Sequence, residues 1–404
     1  MNLLEGKFLK LGSEFAPGQE VRQNTNEVSL RGEKISGTPV DFSHGDVDAF
    51  KPTPGSLDVF VEGVHLGGKQ AYTEYRGSQN IREDAAQKLA NFTGSTINAD
   101  QNLIISPGTQ GALFLAMGST ISRGDKVAIV APDYFANRKL VEFFEGVVVP
   151  IQMEYFNTHI CAGLDLTQLE DAFKVGVKVF LFSNPNNPTG VIYSPDEIRG
   201  IAQLAQQYGV TVIVDQLYSR QIFEGRTYTH LCAQNIVDPE NVMTIMGPSK
   251  TESLSGYRLG VAFGSAKIIE RMEKLQAIVS LRAGGYSQAV LRSWFAEPEG
   301  WMTERIAKHQ AIRDDLLAKL RAVEGFEVRP TEAGSYLFPR IPELDVTLEE
   351  FVKILRLQAD VTVTPGIEFG TQFTDSFRIN FSQDHAAAVA AIDRVTKVVE
   401  LYRK

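Results

Sequence analysis

Cysteine is nearly missing from this chain: Cys161 and Cys232 are the two among 404 residues. Two thiols build no disulfide framework, and their scarcity fits a reducing compartment. Long apolar runs are missing as well. No stretch approaches ~18 consecutive apolar residues, so no membrane span is expected. The N-terminus, MNLLEGKFLK, lacks an apolar core and a small-residue cleavage site, so no secretory signal is expected. Positive charge is in the minority. Lys and Arg number 40 against 49 Asp and Glu, a net charge of −9, and basic residues form no extended run. That balance argues against a general binder of the nucleic-acid backbone. Internal repeats and low-complexity tracts are also lacking. The expectation is a cytoplasmic protein with no nucleic-acid partner and no membrane partner.

What is present is an ordinary globular composition, 43% hydrophobic and 22% charged, with length for roughly two domains. The first ~55 residues, rich in Gly, Pro, Asn and charge, read as an irregular arm with a short strand near 40–42. From 81 to 280 short apolar runs alternate with amphipathic stretches. The runs are LIIS (103–106), KVAIVAP (126–132), VVVPIQM (147–153), VKVFLFSNP (177–185), VTVIVDQLY (210–218) and VMTIM (242–246). Helical patterns between them include 81–92 and 194–209. The second opens on a Ser194/Glu197 capping box with Pro195 at the first helical position and closes on Gly209. Near-continuous β-branched runs separated by helices predict an α/β fold. Its sheet should be mostly parallel, covered by helices on both faces, with function at the carboxyl ends of the strands. A long helical stretch over 301–323, followed by mixed strand and helix patterns to the C-terminus, predicts a second, smaller α+β domain. The expected division is 1–55 as arm and part of the small domain, 56–290 as the large domain, and 291–404 as the small one.

Six segments carry chemistry. In Gly247-Pro248-Ser249-Lys250, a lysine stands eight residues ahead of Arg258 in a small-residue loop. A lysine held in a pocket can form a Schiff base with an aldehyde cofactor, and an arginine nearby can grip a phosphate bidentately. Asp215 ends a run that reads as a buried strand. An acid there acts as a turn cap, or faces a ring nitrogen and keeps it protonated. Tyr218 follows three residues later, within reach of a ring hydroxyl. The segment Asn184-Pro185-Asn186-Asn187-Pro188-Thr189-Gly190 is either a tight strand-to-helix loop or the source of an amide, Asn187, for a phenolic oxygen. Gly108, Thr109 and Gln110 follow a strand and open a helix, where free N–H groups favour phosphate. Tyr134 follows another strand and could stack on a flat cofactor. Arg378 lies inside the apolar stretch Phe377-Arg378-Ile379-Asn380-Phe381, placed for an internal ion pair or a substrate carboxylate.

In this order, NPNNPTG, D-x-x-Y, the Ser-Lys pair with its distant arginine and FRINF resemble fold-type-I pyridoxal-phosphate enzymes, specifically class I/II aminotransferases related to aspartate aminotransferase. The resemblance runs from about Val40 to the C-terminus. It implies a large domain of the pyridoxal-phosphate transferase fold and pyridoxal 5'-phosphate as cofactor, with no metal. By the same resemblance Lys250 is the Schiff-base lysine and proton shuttle, and Asp215 pairs with the pyridine nitrogen. Asn187 and Tyr218 contact the ring oxygen, and Tyr134 stacks on the ring. Gly108, Thr109, Gln110, Ser249 and Arg258 hold the phosphate. Tyr72, in a Y-x4-G element ending at Gly77, reaches the phosphate of the neighbouring subunit, which implies a homodimer with shared active sites. Arg378 takes the substrate carboxylate with help from the backbone at Gly45.

The implied reaction is ping-pong transfer of an amino group from an amino acid to a 2-oxo acid. A lyase reaction at the same site, β-elimination or decarboxylation, is the alternative. Arg282 falls near the position of an arginine that reads a second carboxylate, with Arg220 and His44 as rivals. A cofactor-sensing regulator would carry a basic helix-turn-helix arm, which the acidic charge disfavours. Two departures accompany the match. Gly247 stands where the family often has a phosphate-contacting serine, and Pro248 is unusual beside the lysine.

Overall fold

The β-branched runs assemble into one sheet because most are buried on both faces, with the half-exposed run 147–152 at its edge. A computed structural model of the chain describes residues 2–11, 28–156 and 161–404. Strand β1 (Val40–Asp41) is followed by β2 (Leu103–Pro107), β3 (Lys126–Ala131), β4 (Val147–Gln152), β5 (Val177–Ser183), β6 (Thr211–Asp215), β7 (Val242–Met246) and β8 (Leu259–Gly264). The last seven form a seven-stranded sheet in the order β2-β8-β7-β6-β5-β3-β4. Its pairs are parallel except those of β8, which runs antiparallel to both β2 and β7. Alternate residues feed opposite faces. Val127, Ile129, Val179, Leu181 and Ile213 enter one core, while Ala128, Val130, Phe180, Phe182, Val212 and Val214 enter the other. With helices over both faces no alternation of polar residues survives, which is why the runs read as continuously apolar.

The helices begin and end where side chains satisfy their free backbone groups. Pro195–Tyr208 has the expected reciprocal box: Glu197 N–H donates to Ser194 Oγ (3.2 Å) and Ser194 N–H to Glu197 Oε2 (2.7 Å). Gly209 closes that helix in the left-handed conformation (φ 64°). Helix Gln79–Thr93 covers the expected 81–92 segment, and Trp301–Arg321 the expected long helix.

A second apolar cluster brings Val40, Phe42 and Phe50 together with residues from Ile312 to Tyr402. There β1 pairs with β10 (Val361–Thr362), while β9 (Tyr336–Leu337), β11 (Thr364–Pro365) and β12 (Phe377–Asn380) form a three-stranded antiparallel sheet. The segment around Ala283–Trp294 packs instead with strands of the large sheet.

Two expectations are corrected. Residues Leu3–Leu9 form a helix inside the arm read as irregular, capped reciprocally by Asn2 and Glu5; the rest of that arm, 12–27, lies outside the described residues. Strand β8 was not anticipated. It has a consequence for function, because reversing its direction brings its first residues to the sheet edge where the parallel strands end.

Candidate active site

Along that edge the loops after β2, β3, β5, β6 and β7 converge on a cavity of about 210 Å³. Its wall contains Thr109, Gln110, Tyr134, Asn187, Asp215, Tyr218, Ser249, Lys250, Arg258 and Arg378. Lys250 itself is exposed in the loop after β7.

The loops are held at close quarters by small residues. Gly108 has φ +78°, and a Cβ on it would meet Arg258 Nη2 at 2.6 Å, so the guanidinium lies directly on its backbone. Arg258 takes the left-handed conformation just before β8 (φ 54°) and donates from Nη1 to the Ser255 carbonyl (3.0 Å). Ser249 Oγ donates to the Leu259 carbonyl (3.3 Å). Gly247 now has a physical reason. A Cβ there would lie 2.8 Å from Thr109 Cγ2 and 3.1 Å from the Leu259 carbonyl, so Thr109 fills the space a serine would need.

At the cavity floor, burial pushes the Asp215 carboxyl from 3.8 up to about 6, against a hydrogen bond from the Leu217 N–H (3.1 Å). Among the described residues no cation pairs with it. A buried acid without a counter-charge is costly, and it fits a ligand that brings a protonated nitrogen. Beside it, burial raises Asp133 to about 7, with the Asp215 charge adding to the effect. Asp133 accepts from Ser183 Oγ (2.5 Å) and Ser183 N–H (3.0 Å), and Ser183 Oγ in turn accepts from the Asn187 N–H (3.1 Å). This chain of bonds fixes the loop that presents Asn187.

Arg378, on β12, donates from Nη1 to Asn187 Oδ1 (2.9 Å) and from Nη2 to the Ser43 carbonyl (2.9 Å). Its Nε is buried and has no partner among the described residues. The guanidinium lies 4.3 Å from the centre of the Tyr336 ring and 4.9 Å from that of Phe369. A planar cation held on two sides with a donor left over is suited to a carboxylate. Tyr134 donates to Gln110 Oε1 (3.2 Å).

Tyr336 and Asp133 were not singled out by the sequence. Tyr336 lines the cavity and its hydroxyl lies 2.5 Å from that of Tyr218. Asp133 could have been noticed as an acid at the end of a strand, the signal that marked Asp215. Tyr336 carries no such signal.

Several expected residues lie elsewhere. Gly45 and His44 line a neighbouring groove, and it is Ser43 that meets Arg378. Arg220 is committed to Glu252 (2.5 Å) and Glu297 (2.7 Å), which removes it as a substrate reader. Tyr72 is 83% exposed and, with Arg282, stands outside the cavity; the Arg282 guanidinium lies 5.7 Å from the Tyr72 ring centre and 5.5 Å from that of Tyr75.

The family model for aminotransferase class I and II matches residues 57–395. The chain belongs to this family. This class I/II aminotransferase has a solved relative, an aspartate aminotransferase from Rhodobacter sphaeroides, at 64% identity and TM-score 0.94, covering 99% of this chain and 100% of the relative. The aspartate aminotransferase of Sulfurisphaera tokodaii is 27% identical over 83% of this chain and 84% of its own length. An asparagine–oxo-acid transaminase from Streptococcus mutans is 26% identical over 86% of this chain and 88% of its own. The protein is therefore a pyridoxal-phosphate-dependent transaminase, and the lyase alternative is not favoured. Its cavity fits that cofactor in three respects: the unpaired acid Asp215, the arginine laid on Gly108, and Lys250 in the same wall.

Proposed function

We propose that this aminotransferase exchanges amino groups between aspartate or glutamate and a 2-oxo acid in a ping-pong cycle, as a cytoplasmic homodimer. The bound cofactor supplies an aldehyde that condenses with amines and a ring that withdraws electrons from the neighbouring carbon. Asp215 would keep the ring nitrogen protonated. Arg258, Ser249, Thr109, Gln110 and the N–H groups at Gly108 would hold the phosphate, and Tyr134 would cover the ring face. Because Arg378 occupies Asn187 Oδ1, Asn187 would have its Nδ2 donors to offer the ring oxygen, as Tyr218 would have its hydroxyl. Lys250 Nζ would be the amine that anchors the aldehyde and, when free, the base placed to move the substrate's Cα proton.

Arg378 fixes the α-carboxylate and so sets which Cα bond faces Lys250. The observation that carries this reading is the shared cavity wall: Lys250, the unpaired Asp215 and the spare Nε of Arg378 belong to one space. Part of residues 1–55, including Val40, Phe42 and Phe50, would act with 291–404 as one small domain carrying Arg378 against the large domain of 56–290, the rest being an N-terminal arm. The dicarboxylic preference draws on the 64%-identical relative and on Arg282, half-buried beside Tyr72, as a reader in the neighbouring subunit's site.

Three measurements test this. Lys250→Ala should lose all turnover and the visible absorbance of the lysine-bound cofactor; retention of both would overturn the assignment. In single-turnover assays aspartate and glutamate should react in preference to alanine. Arg282→Ala should cut kcat/KM for the two dicarboxylates by about tenfold while sparing alanine. Equal losses on all three would remove Arg282 as the reader.

A further inference from the structure

We propose that Tyr336 is a positioning residue that acts through Tyr218: its hydroxyl donates to the Tyr218 oxygen and leaves the Tyr218 proton free for the cofactor's ring oxygen. The inference rests on the reading that Tyr218 contacts that oxygen. Both phenols are buried in the cavity wall with their oxygens 2.5 Å apart and their rings edge to face at 5.2 Å between centres. A phenol carries one proton, so a pair this close must divide its roles. If Tyr218 donated to Tyr336, it would have nothing to offer the cavity.

The surroundings assign the donor. Arg378 on β12 covers the Tyr336 ring at 4.3 Å. The charged and titratable groups facing the pair are Arg378, Lys250 after β7, Asp215 at the end of β6 and Tyr134 after β3. Burial resists ionisation of Tyr336, but Arg378, Lys250 and the Tyr218 bond outweigh it and its hydroxyl becomes more acidic than usual. Tyr218, held up by burial and then by Tyr336, remains well above the usual phenol range. With the Arg378 cation lying on its ring, Tyr336 is the better donor of the two. Donation in that direction also polarises the Tyr218 hydroxyl and strengthens its next bond.

The β9 backbone keeps the arrangement rigid. Tyr336 pairs with Asn380 on β12, the strand that carries Arg378, and Thr331 Oγ1 donates to the Tyr336 carbonyl. The Tyr218 ring packs on Gly334, where a Cβ would approach it to 3.3 Å.

The test is a spectroscopic pH titration of the bound cofactor in the holoenzyme, with Tyr336→Phe, Tyr218→Phe and the double variant. A donor on the ring oxygen competes with the neighbouring nitrogen's proton for that oxygen. Weakening the donor should therefore raise the titration midpoint. Tyr336→Phe should raise it by roughly half a unit to one unit, the size of one neutral hydrogen bond. Tyr218→Phe should raise it further, and adding Tyr336→Phe to that variant should change nothing more. An unmoved or lowered midpoint in Tyr336→Phe, with Tyr218→Phe shifted, overturns this proposal alone. Equal shifts from Tyr336→Phe in both backgrounds also overturn it, since the effect would then bypass Tyr218. An unmoved midpoint in Tyr218→Phe overturns the underlying contact and this proposal together. Loss of the cofactor from Tyr336→Phe counts against it too, because removing one oxygen should leave the site assembled.

Discussion

Asp215 shows how a single residue sets stability against function. Its folded-state carboxyl titrates at about 6, above its ordinary 3.8, because it is buried without a counter-charge. The folded chain then holds more protons than the unfolded one between about 4 and 6, so cofactor-free stability falls as pH rises through that window. A shift of roughly two units corresponds to on the order of 2–3 kcal/mol. Asp133 adds a loss of the same sign up to about 7. The amide of Asp215→Asn removes the charge at nearly constant shape. At pH 7 the cofactor-free variant should be more stable than the parent by on the order of 1–2 kcal/mol, while its affinity for the cofactor falls. Thermal unfolding between pH 4 and 8 checks this, and an unchanged pH slope would mean Asp215 is not the source. Gly247 makes a second case. Gly247→Ser, which restores the residue common in the family, should weaken cofactor binding by about tenfold because its Cβ collides with Thr109. Adding Thr109→Ser removes the clashing methyl and should recover most of the affinity. No recovery in a cofactor titration would point to the Leu259 carbonyl as the obstacle.

Among the elements, the loop carrying Lys250 depends on a buried charge cluster. Arg220, past the end of β6, bridges Glu252 and Glu297, its guanidinium lies 3.9 Å from the Phe295 ring centre, and Trp294 Nε1 donates to Glu252 (3.1 Å). Arg220 thus ties the Tyr218 segment to the lysine loop. Arg220→Ala leaves two carboxylates buried together and should cost about 3–5 kcal/mol in denaturant unfolding. Glu252→Gln in the same chain should return part of it; if the double variant is weaker still, charge is not what the arginine balances. The sequence hid this cluster, since its members lie up to 77 positions apart. For the same reason Arg220 read as a rival reader of the substrate side chain. Strand β8 was hidden differently: it follows the lysine motif directly, and a short apolar run carries no mark of its direction. Strands β3, β5, β6 and β7 were legible because burial on both faces leaves unbroken β-branched runs, edge strand β4 because its valines still form such a run, and the helix Pro195–Tyr208 because its caps are written in side chains.

At the scale of the whole molecule, motif spacing revealed residues that line one cavity, whereas contacts among protein groups had to be seen in space. Lys250, Asp215, Asn187 and Arg378 belong to the first kind; the Tyr336–Tyr218 pair and the Asp133–Ser183–Asn187 chain belong to the second. Tyr72 lies between them, because its expected target is outside its own chain. It is 83% exposed beside Arg282, and Ile278 (81%), Val279 and Leu281 (55% each) are exposed in the chain segment just before Arg282. Exposed apolar residues gathered in one short segment are what a covering second copy would bury. If a second copy covers it by two-fold symmetry, each active site combines Lys250 of one chain with Tyr72 of the other. Mixing two crippled proteins then tests the arrangement. Lys250→Ala dimers have no base, and Tyr72→Ala dimers hold the cofactor poorly. A hybrid of the two contains one site with an intact Lys250 and an intact Tyr72. After subunit exchange, activity at limiting cofactor should rise above the sum of the separate variants, toward about a quarter of the parent's if exchange is random. Should the mixture stay at that sum although hybrids are present, Tyr72 serves no neighbouring site.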